Sequence, residues 1–406
     1  MSTQVHATLT EQHVRAISEE LGEPDWLLET RLDALEALET LPFPDVIQTP
    51  GRTWTDLSKL DFEALVDPST TGDHKEREAP DEVDVLSFAQ AVEDHEDLLR
   101  EQFGSVVDPQ TNYLTALQTA LFTTGTVVYV PEGVDAESIT IRTTMDSQSL
   151  FNYTLVVVEQ SSSVTILERQ ETGSDADGDS RYYSGIVELV AGENSYVQYG
   201  SLQDLSEDTY NYQLKRASTD TYANADWIDC NIGSRLTKTS VETTLAGEAS
   251  ESKIVGAFYG HNDQHFDVDS RVWHENEHTT ADLVTRGVID DDARSVYEGV
   301  QDVGSEAWNT NSYQRENTLM LSDESEADAS PKLIINNHDT EASHSATVGQ
   351  VDANDLFYMT SRGVSEHLAK NMLVSGFFVP VLDEIEVEEL REDVNGRVQD
   401  RLQARS

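Results

Sequence analysis

Four histidines crowd one stretch of this 406-residue chain, "GHNDQHFDVDSRVWHENEH": His261, His265, His274 and His278. Two pairs spaced four apart suggest zinc, because histidines at that spacing on a helix can share a metal ion. Here, however, Phe266, Val268 and Val272 alternate with polar residues, which is a strand pattern. On a strand, residues four apart share a face but lie about 13 Å from one another. Such a pair cannot chelate one ion, so the stretch reads as a polar ladder with packed imidazoles.

A further histidine, His344, stands among small residues (Ala342, Ser343, Ser345, Ala346), where a partner or a metal could approach the ring. It sits where a β-leaning segment ends, near Val348, and an amphipathic helix begins, near Asp352. The single cysteine, Cys230, excludes an internal disulfide or thiolate cage. No basic neighbour is present to activate it, and it reads as a small buried hydrophobe. Paired carboxylates of the glycosidase kind carry no weight among 77 acidic residues, where any pair arises by chance.

Several kinds of element must position these groups. Thr10 caps a first helix that ends at Gly22, and a second follows with Leu28, Leu32 and Leu35 on one face until Pro42 and Pro44 stop it. A polar linker is expected near 68–82, then helical stretches near 84–103 and 110–122. From 123 to about 340 the period turns extended, in runs such as "YTLVVVE", "GIVELVAG" and "KIVGAFYG" separated by polar turns. Without helical crossovers, a doubly wound parallel sheet is disfavoured. A sandwich, a barrel or a β-solenoid would each fit. Helix returns from about Asp352. The expected division is a helical region over 1–122, a β core over 123–350 and a helical region over 351–406.

The formal net charge is -51, with 26 basic residues of which seven are lysines. The acidic excess is spread along the whole chain. That suits concentrated salt, where screening shortens to about 3 Å near 1 M, and a halophilic habitat is expected. The rival reading is an acidic surface that captures a basic partner. Nucleic-acid binding is disfavoured, because no basic patch could displace counterions from phosphates. No apolar run of 18 residues and no signal-like start occurs, so a soluble cytoplasmic protein without membrane contact is expected.

Several strings then resemble the SufB/SufD family of the Suf iron–sulfur cluster assembly machinery, and within it the SufD branch. They are "EPDWLLETRLDALEALETLPFP", "LFTTGTVVYVPEGV" and a continuous stretch from about Gly260 to Phe378 that includes "NTLMLSDESEADASPKLIINNHDTEASHSATVGQVD". The resemblance implies a mainly β fold, a right-handed parallel β-helix between two helical regions. It implies pairing through the β-helix with a SufB paralogue, and docking of the ABC-type ATPase SufC on the C-terminal helices. Arg362, Gly363, Val364, Leu368, Met372 and Phe377 are the expected docking residues.

The family's "CSHGATVG" falls on "ASHSATVG", which makes His344 the expected iron or cluster ligand at the SufB interface. Any iron–sulfur cluster there would be transient cargo, with no stably bound cofactor. The family's cysteine is Ala342 here and its next glycine is Ser345, so thiolates must come from the partner. SufB's cysteine is aligned with Ser325, which disfavours a SufB role. No G-x-x-x-x-G-K-[ST] loop occurs, so ATP hydrolysis is assigned elsewhere and a non-catalytic scaffold is expected. The alternatives are a SufB-like paralogue that is itself the cluster scaffold, and a β-helix enzyme acting on polysaccharide.

Overall fold

A computed structural model describes residues 9–42, 46–49, 52–56, 74–173, 180–385 and 387–404. Helices α1 (Glu11–Leu21) and α2 (Asp25–Ala37) come first, then the antiparallel pair β1 (Val46–Thr49) and β2 (Arg52–Asp56). Next come β3 (His74–Glu78), β4 (Asp84–Ser87), α3 (Phe88–Asp94), α4 (Glu96–Gln102) and α5 (Tyr113–Leu121).

The strands of the body are β5 (Thr124–Val130), β6 (Ile139–Met145), β7 (Ser149–Val158), β8 (Ser163–Thr172), β9 (Arg181–Ala191), β10 (Tyr196–Asp204), β11 (Thr209–Thr219) and β12 (Asn224–Asn231). They continue as β13 (Leu236–Leu245), β14 (Glu251–Gly260), β15 (His265–His274), β16 (Thr280–Ile289), β17 (Arg294–Val303), β18 (Thr310–Met320), β19 (Glu326–Ile335) and β20 (Thr340–Gln350). Helices α6 (Ala353–Thr360), α7 (Glu366–Leu382) and α8 (Glu388–Ala404) end the chain.

Odd-numbered strands from β5 to β19 stack in parallel in one sheet, and even-numbered strands from β6 to β20 stack in the other. Each coil therefore gives one strand to each sheet, and the body is a parallel β-solenoid of about eight turns. This resolves the choice among sandwich, barrel and solenoid that the sequence period left open. At one corner, Asn194, Tyr222, Ala249 and His278 all take left-handed φ between 55° and 64°. Each donates its backbone N–H to the carbonyl of the next coil's turn, on Thr221, Glu248, Glu277 and Trp308 respectively, so the ladder continues around the bend.

The two ends of the solenoid differ. At the first, β3 pairs antiparallel with β6 and β4 pairs antiparallel with β5, closing both sheets. Residues 74–78, inside the stretch expected to be a polar linker, form β3. Its cations explain the strand: the Lys75 ammonium donates to Asn152 at 2.8 Å, and the Arg77 guanidinium donates to the Gly125 carbonyl at 2.8 Å. A stretch that looks solvated by composition thus satisfies polar groups of the first coils. At the other end, among the described residues, β19 pairs only with β17 and β20 only with β18.

The N-terminal helices cover the outer face of the early odd strands, packing on Val127, Phe151, Tyr153, Leu155 and Ile186. The most deeply buried line of α2 is Leu27, Arg31 and Ala34, continuing to Leu38; the expected Leu28, Leu32 and Leu35 are half-buried beside it. Hydropathy hides this line because Arg31 is on it. Its charge is met by Glu23 at 2.6 Å, and it donates to the carbonyls of Thr119, Ala120 and Phe122. The C-terminal helices cover the even sheet. Val374, Phe378, Val381, Leu390, Val394 and Val398 pack on Leu202, Ile228, Val255, Ala257 and Val288. Cys230 is buried in that layer as the sequence suggests, and burial followed by the charge of Asp229 pushes its thiol pKa up. Among the described residues, no helix is long and apolar enough to cross a membrane.

Candidate functional site at the open end of the solenoid

His344 lies in the middle of β20, solvent-exposed, at the seam with α6, whose N-cap is Asp352. Its direction follows from the ladder. In-register parallel neighbours point the same way, and His344 is paired with Gln314 of β18. On β18 the buried residues are Thr310, Ser312, Gln314, Glu316 and Thr318, an alternating set that faces the lumen. Ala342, His344, Ala346 and Val348 continue those rows on β20. His344 is thus a lumen-facing residue exposed because no further coil lies over it.

The facing strand β19 extends the rows of Ser295, Tyr297, Gly299, Gln301 and Val303 with Ala327, Ala329, Pro331, Leu333 and Ile335. The mouth is therefore lined by small and apolar side chains around one imidazole. A last coil with two unpaired edges and an apolar lumen is an incomplete surface, open to pairing with another chain. Pro331 is tolerated because β19 is an edge.

Just below the mouth, Gln314 crosses the lumen. A Cβ on Gly299 would come 1.7 Å from its Nε2, so any side chain there would push the end of Gln314 aside. Glu316 stands one rung below Ala346, two residues along from the Gln314–His344 column. Its Oε1 accepts from the Thr318 hydroxyl at 2.5 Å, and its carboxylate also lies against the Thr347 amide of the last strand. Burial pushes its pKa up to about 7, against the pull of those two donors. Sequence reading missed Glu316, because only the coil register reveals its nearness to His344.

The other candidates spread apart. His265 and His274 begin and end the ten-residue strand β15, while His261 and His278 lie in the turns beyond. His274 is buried, its Nδ1 beside the Thr279 hydroxyl at 2.9 Å and its Nε2 beside Gln301 Oε1 at 3.2 Å. Burial lowers the pKa of both His265 and His274 to about 4. His261 contacts Glu207 at 3.0 Å and Arg401 of α8, and His278 contacts the Asn309 amide at 2.7 Å. The strand pattern thus keeps the four imidazoles from converging. Among the described residues, no group of three His, Cys, Asp or Glu side chains is gathered for a metal ion. Ser325 sits in the turn before β19, its hydroxyl donating to the Ser322 carbonyl at 2.9 Å.

Beside the mouth, the C-terminal helices present a second uncovered surface. Leu368 and Met372 are 50% and 52% exposed on α7, with Val379 in line and Phe357 and Tyr358 exposed on α6. Arg362 stacks on Tyr358 at 3.5 Å, and Gly363 takes φ +89° in the turn between α6 and α7. Val364 is half-buried. Phe377 points the other way: Arg286 lies 4.9 Å above its ring and donates to its carbonyl at 2.6 Å. Phe357, Tyr358 and Val379 were not among the expected docking residues.

Comparison with known proteins agrees with this architecture. The family described as "SUF system FeS cluster assembly, SufBD core domain" matches residues 141–377, and "SufBD protein N-terminal region" matches residues 55–141. An "Iron-sulfur cluster assembly SufBD family protein" of Staphylococcus epidermidis is 28% identical over 94% of this chain and 90% of its own length. "Iron-sulfur cluster assembly protein SufB" of Bacillus subtilis is 27% identical over the same shares. The core match alone takes in more than half of the chain, from β6 into α7, and the protein belongs to the SufBD family of iron–sulfur cluster assembly proteins.

Proposed function

We propose that this chain is the SufD-type, non-catalytic scaffold subunit of a cytoplasmic SufB–SufC–SufD assembly. The observation that carries the reading is the asymmetry of the solenoid. One end is closed by β3 and β4, while the other leaves two edge strands and an apolar lumen around His344 uncovered. A paralogous solenoid of the SufB type completes that end, with His344 facing the shared space. Iron or a nascent cluster is cargo there, and imidazole is a suitable ligand for it. The only cysteine is buried beneath α7 and α8, so sulfur ligands come from the partner. The exposed apolar face of α6 and α7 receives the ABC-type ATPase SufC. A net charge of -51 suits a halophilic cytoplasm.

The test is reconstitution with a cysteine-bearing SufB-type subunit and the ATPase in high salt. Stable co-purification and a loss of cluster maturation in His344→Ala are expected. Undiminished maturation in that variant removes the His344 assignment, and failure to associate removes the scaffold reading. A SufB-like role is the second reading, motivated by the name of the Bacillus subtilis relative. It requires this chain alone to hold a cluster after anaerobic reconstitution.

A further inference from the structure

We propose that Glu316 is a second donor at the His344 site, so that this chain by itself offers an imidazole and a carboxylate to one divalent first-row cation. The inference rests on the reading of His344 as an iron ligand and adds a residue to it.

Three carboxylates stack in one lumen-facing row of the even sheet, Glu168, Asp229 and Glu316, linked through Ser201, Gly256 and Thr285 by the strand register. Asp229 is fully provided for: it binds the Lys215 ammonium and accepts from Ser201 at 3.0 Å, Asn231 at 2.7 Å and Thr239 at 3.3 Å. Glu168 accepts the Tyr199 hydroxyl at 2.8 Å and leaves its Oε1 without a hydrogen-bond partner, but it has the charge of buried Lys75 beside it. Glu316 has hydrogen-bond donors only, and no cation faces it among the described residues. The residue is 1% exposed, and its Oε2 has no hydrogen-bond partner. A buried carboxylate left so incomplete is costly unless something binds it.

Its place shows what that would be. The carboxylate's two donors, the Thr318 hydroxyl and the Thr347 amide, lie on the far side of the Glu316–Ala346 rung from His344. It is therefore a turn of the Glu316 side chain toward the Gln314 column that would carry its free Oε2 to the imidazole. A strand spacing of about 4.8 Å and a rise of about 3.3 Å per residue put the Cα atoms of Glu316 and His344 roughly 8 Å apart, on the same side of the sheet. An imidazole and a glutamate can meet one ion across that gap. The donor pair, one nitrogen and one carboxylate oxygen, suits ferrous iron and leaves coordination positions toward the open mouth, where a partner's sulfur ligands would enter.

The test is titration of the full-length chain with Co(II), a spectroscopic stand-in for Fe(II), in 2 M KCl to screen the acidic surface. Visible absorption and calorimetry are read together, and thermal melting checks each variant for folding. One equivalent is expected to bind the wild type. Glu316→Gln, which keeps shape and the Thr318 hydrogen bond, is expected to weaken that step at least ten-fold, as is His344→Ala. Glu316→Asp, which retains the charge, should fall between. Glu341→Gln, on the outward face of β20, should match the wild type. Wild-type affinity in Glu316→Gln overturns the proposal while leaving His344 standing if His344→Ala still loses the ion. Indifference to both substitutions, or no stoichiometric Co(II) on the wild type, removes the proposed pair altogether.

Discussion

His344 stands directly over Gln314 in the parallel ladder that joins β20 to β18. Gln314 is 1% exposed and His344 is open to solvent, although both occupy the same inward-facing row. The difference between them is one coil. The next rung in such a stack would bury His344 as β20 buries Gln314, and in the proposed assembly a partner at the mouth would take the place of that rung.

Charge introduced at the mouth should therefore break association without harming the fold. Ala346→Glu places a carboxylate in the exposed lumen-facing row of β20. The melting temperature is expected to stay within about 2 °C of wild type, since exposed substitutions change stability by less than about 0.5 kcal/mol. Co-purification of the SufB-type partner, measured by size-exclusion chromatography with light scattering, should be lost.

The two faces of α7 should respond in opposite ways. The double change Leu368→Asp and Met372→Asp alters only exposed side chains. It is expected to abolish capture of the ATPase at nearly unchanged stability. Phe378→Ala removes a ring buried against Tyr259 and should cost about 3–5 kcal/mol in denaturant unfolding. Equal effects of the two changes on stability would contradict the assignment of faces. Deleting residues 361–406 is a poorer experiment, because it would strip the apolar cover from the even sheet.

Gly287 is fixed by its neighbour across the ladder, Phe258. A Cβ at 287 would lie 1.9 Å from the ring's Cζ. Gly287→Ala should cost about 1–3 kcal/mol through overpacking, measured as a lower urea midpoint with unchanged slope.

Acid should weaken the wild type partly through His274. Burial holds its pKa at about 4, below the ordinary 6.5, so the native imidazole stays neutral where the unfolded one is protonated. The stability this histidine contributes is complete above pH 6.5. It falls as pH drops toward 4, by about 3 kcal/mol in total, and changes no further below that. His274→Gln should flatten the difference between unfolding free energies at pH 7 and pH 4.5 by a comparable amount.

Much was legible in residue order alone. Alternation over "FDVDSRVWH" marks a strand, and the strand keeps the histidine cluster apart. The shift of period at Asp352 places His344 at the seam. A lone cysteine among apolar residues reads as buried, and it is. These are local properties, set by side-chain alternation and capping within a few residues.

What the sequence could not display depends on pairing across whole coils. Tyr297 lies beside Val268, and Glu316 beside Thr285, at separations no local period reveals. Only stacking decides that Gly299 makes room for Gln314, that charged residues 74–78 close the first end, and that Arg31 lies on the buried side of α2. The same holds for His344. Its chemistry is written in the chain, but its exposure is decided by where the coils stop, because a lumen-facing side chain meets solvent only on the last rung.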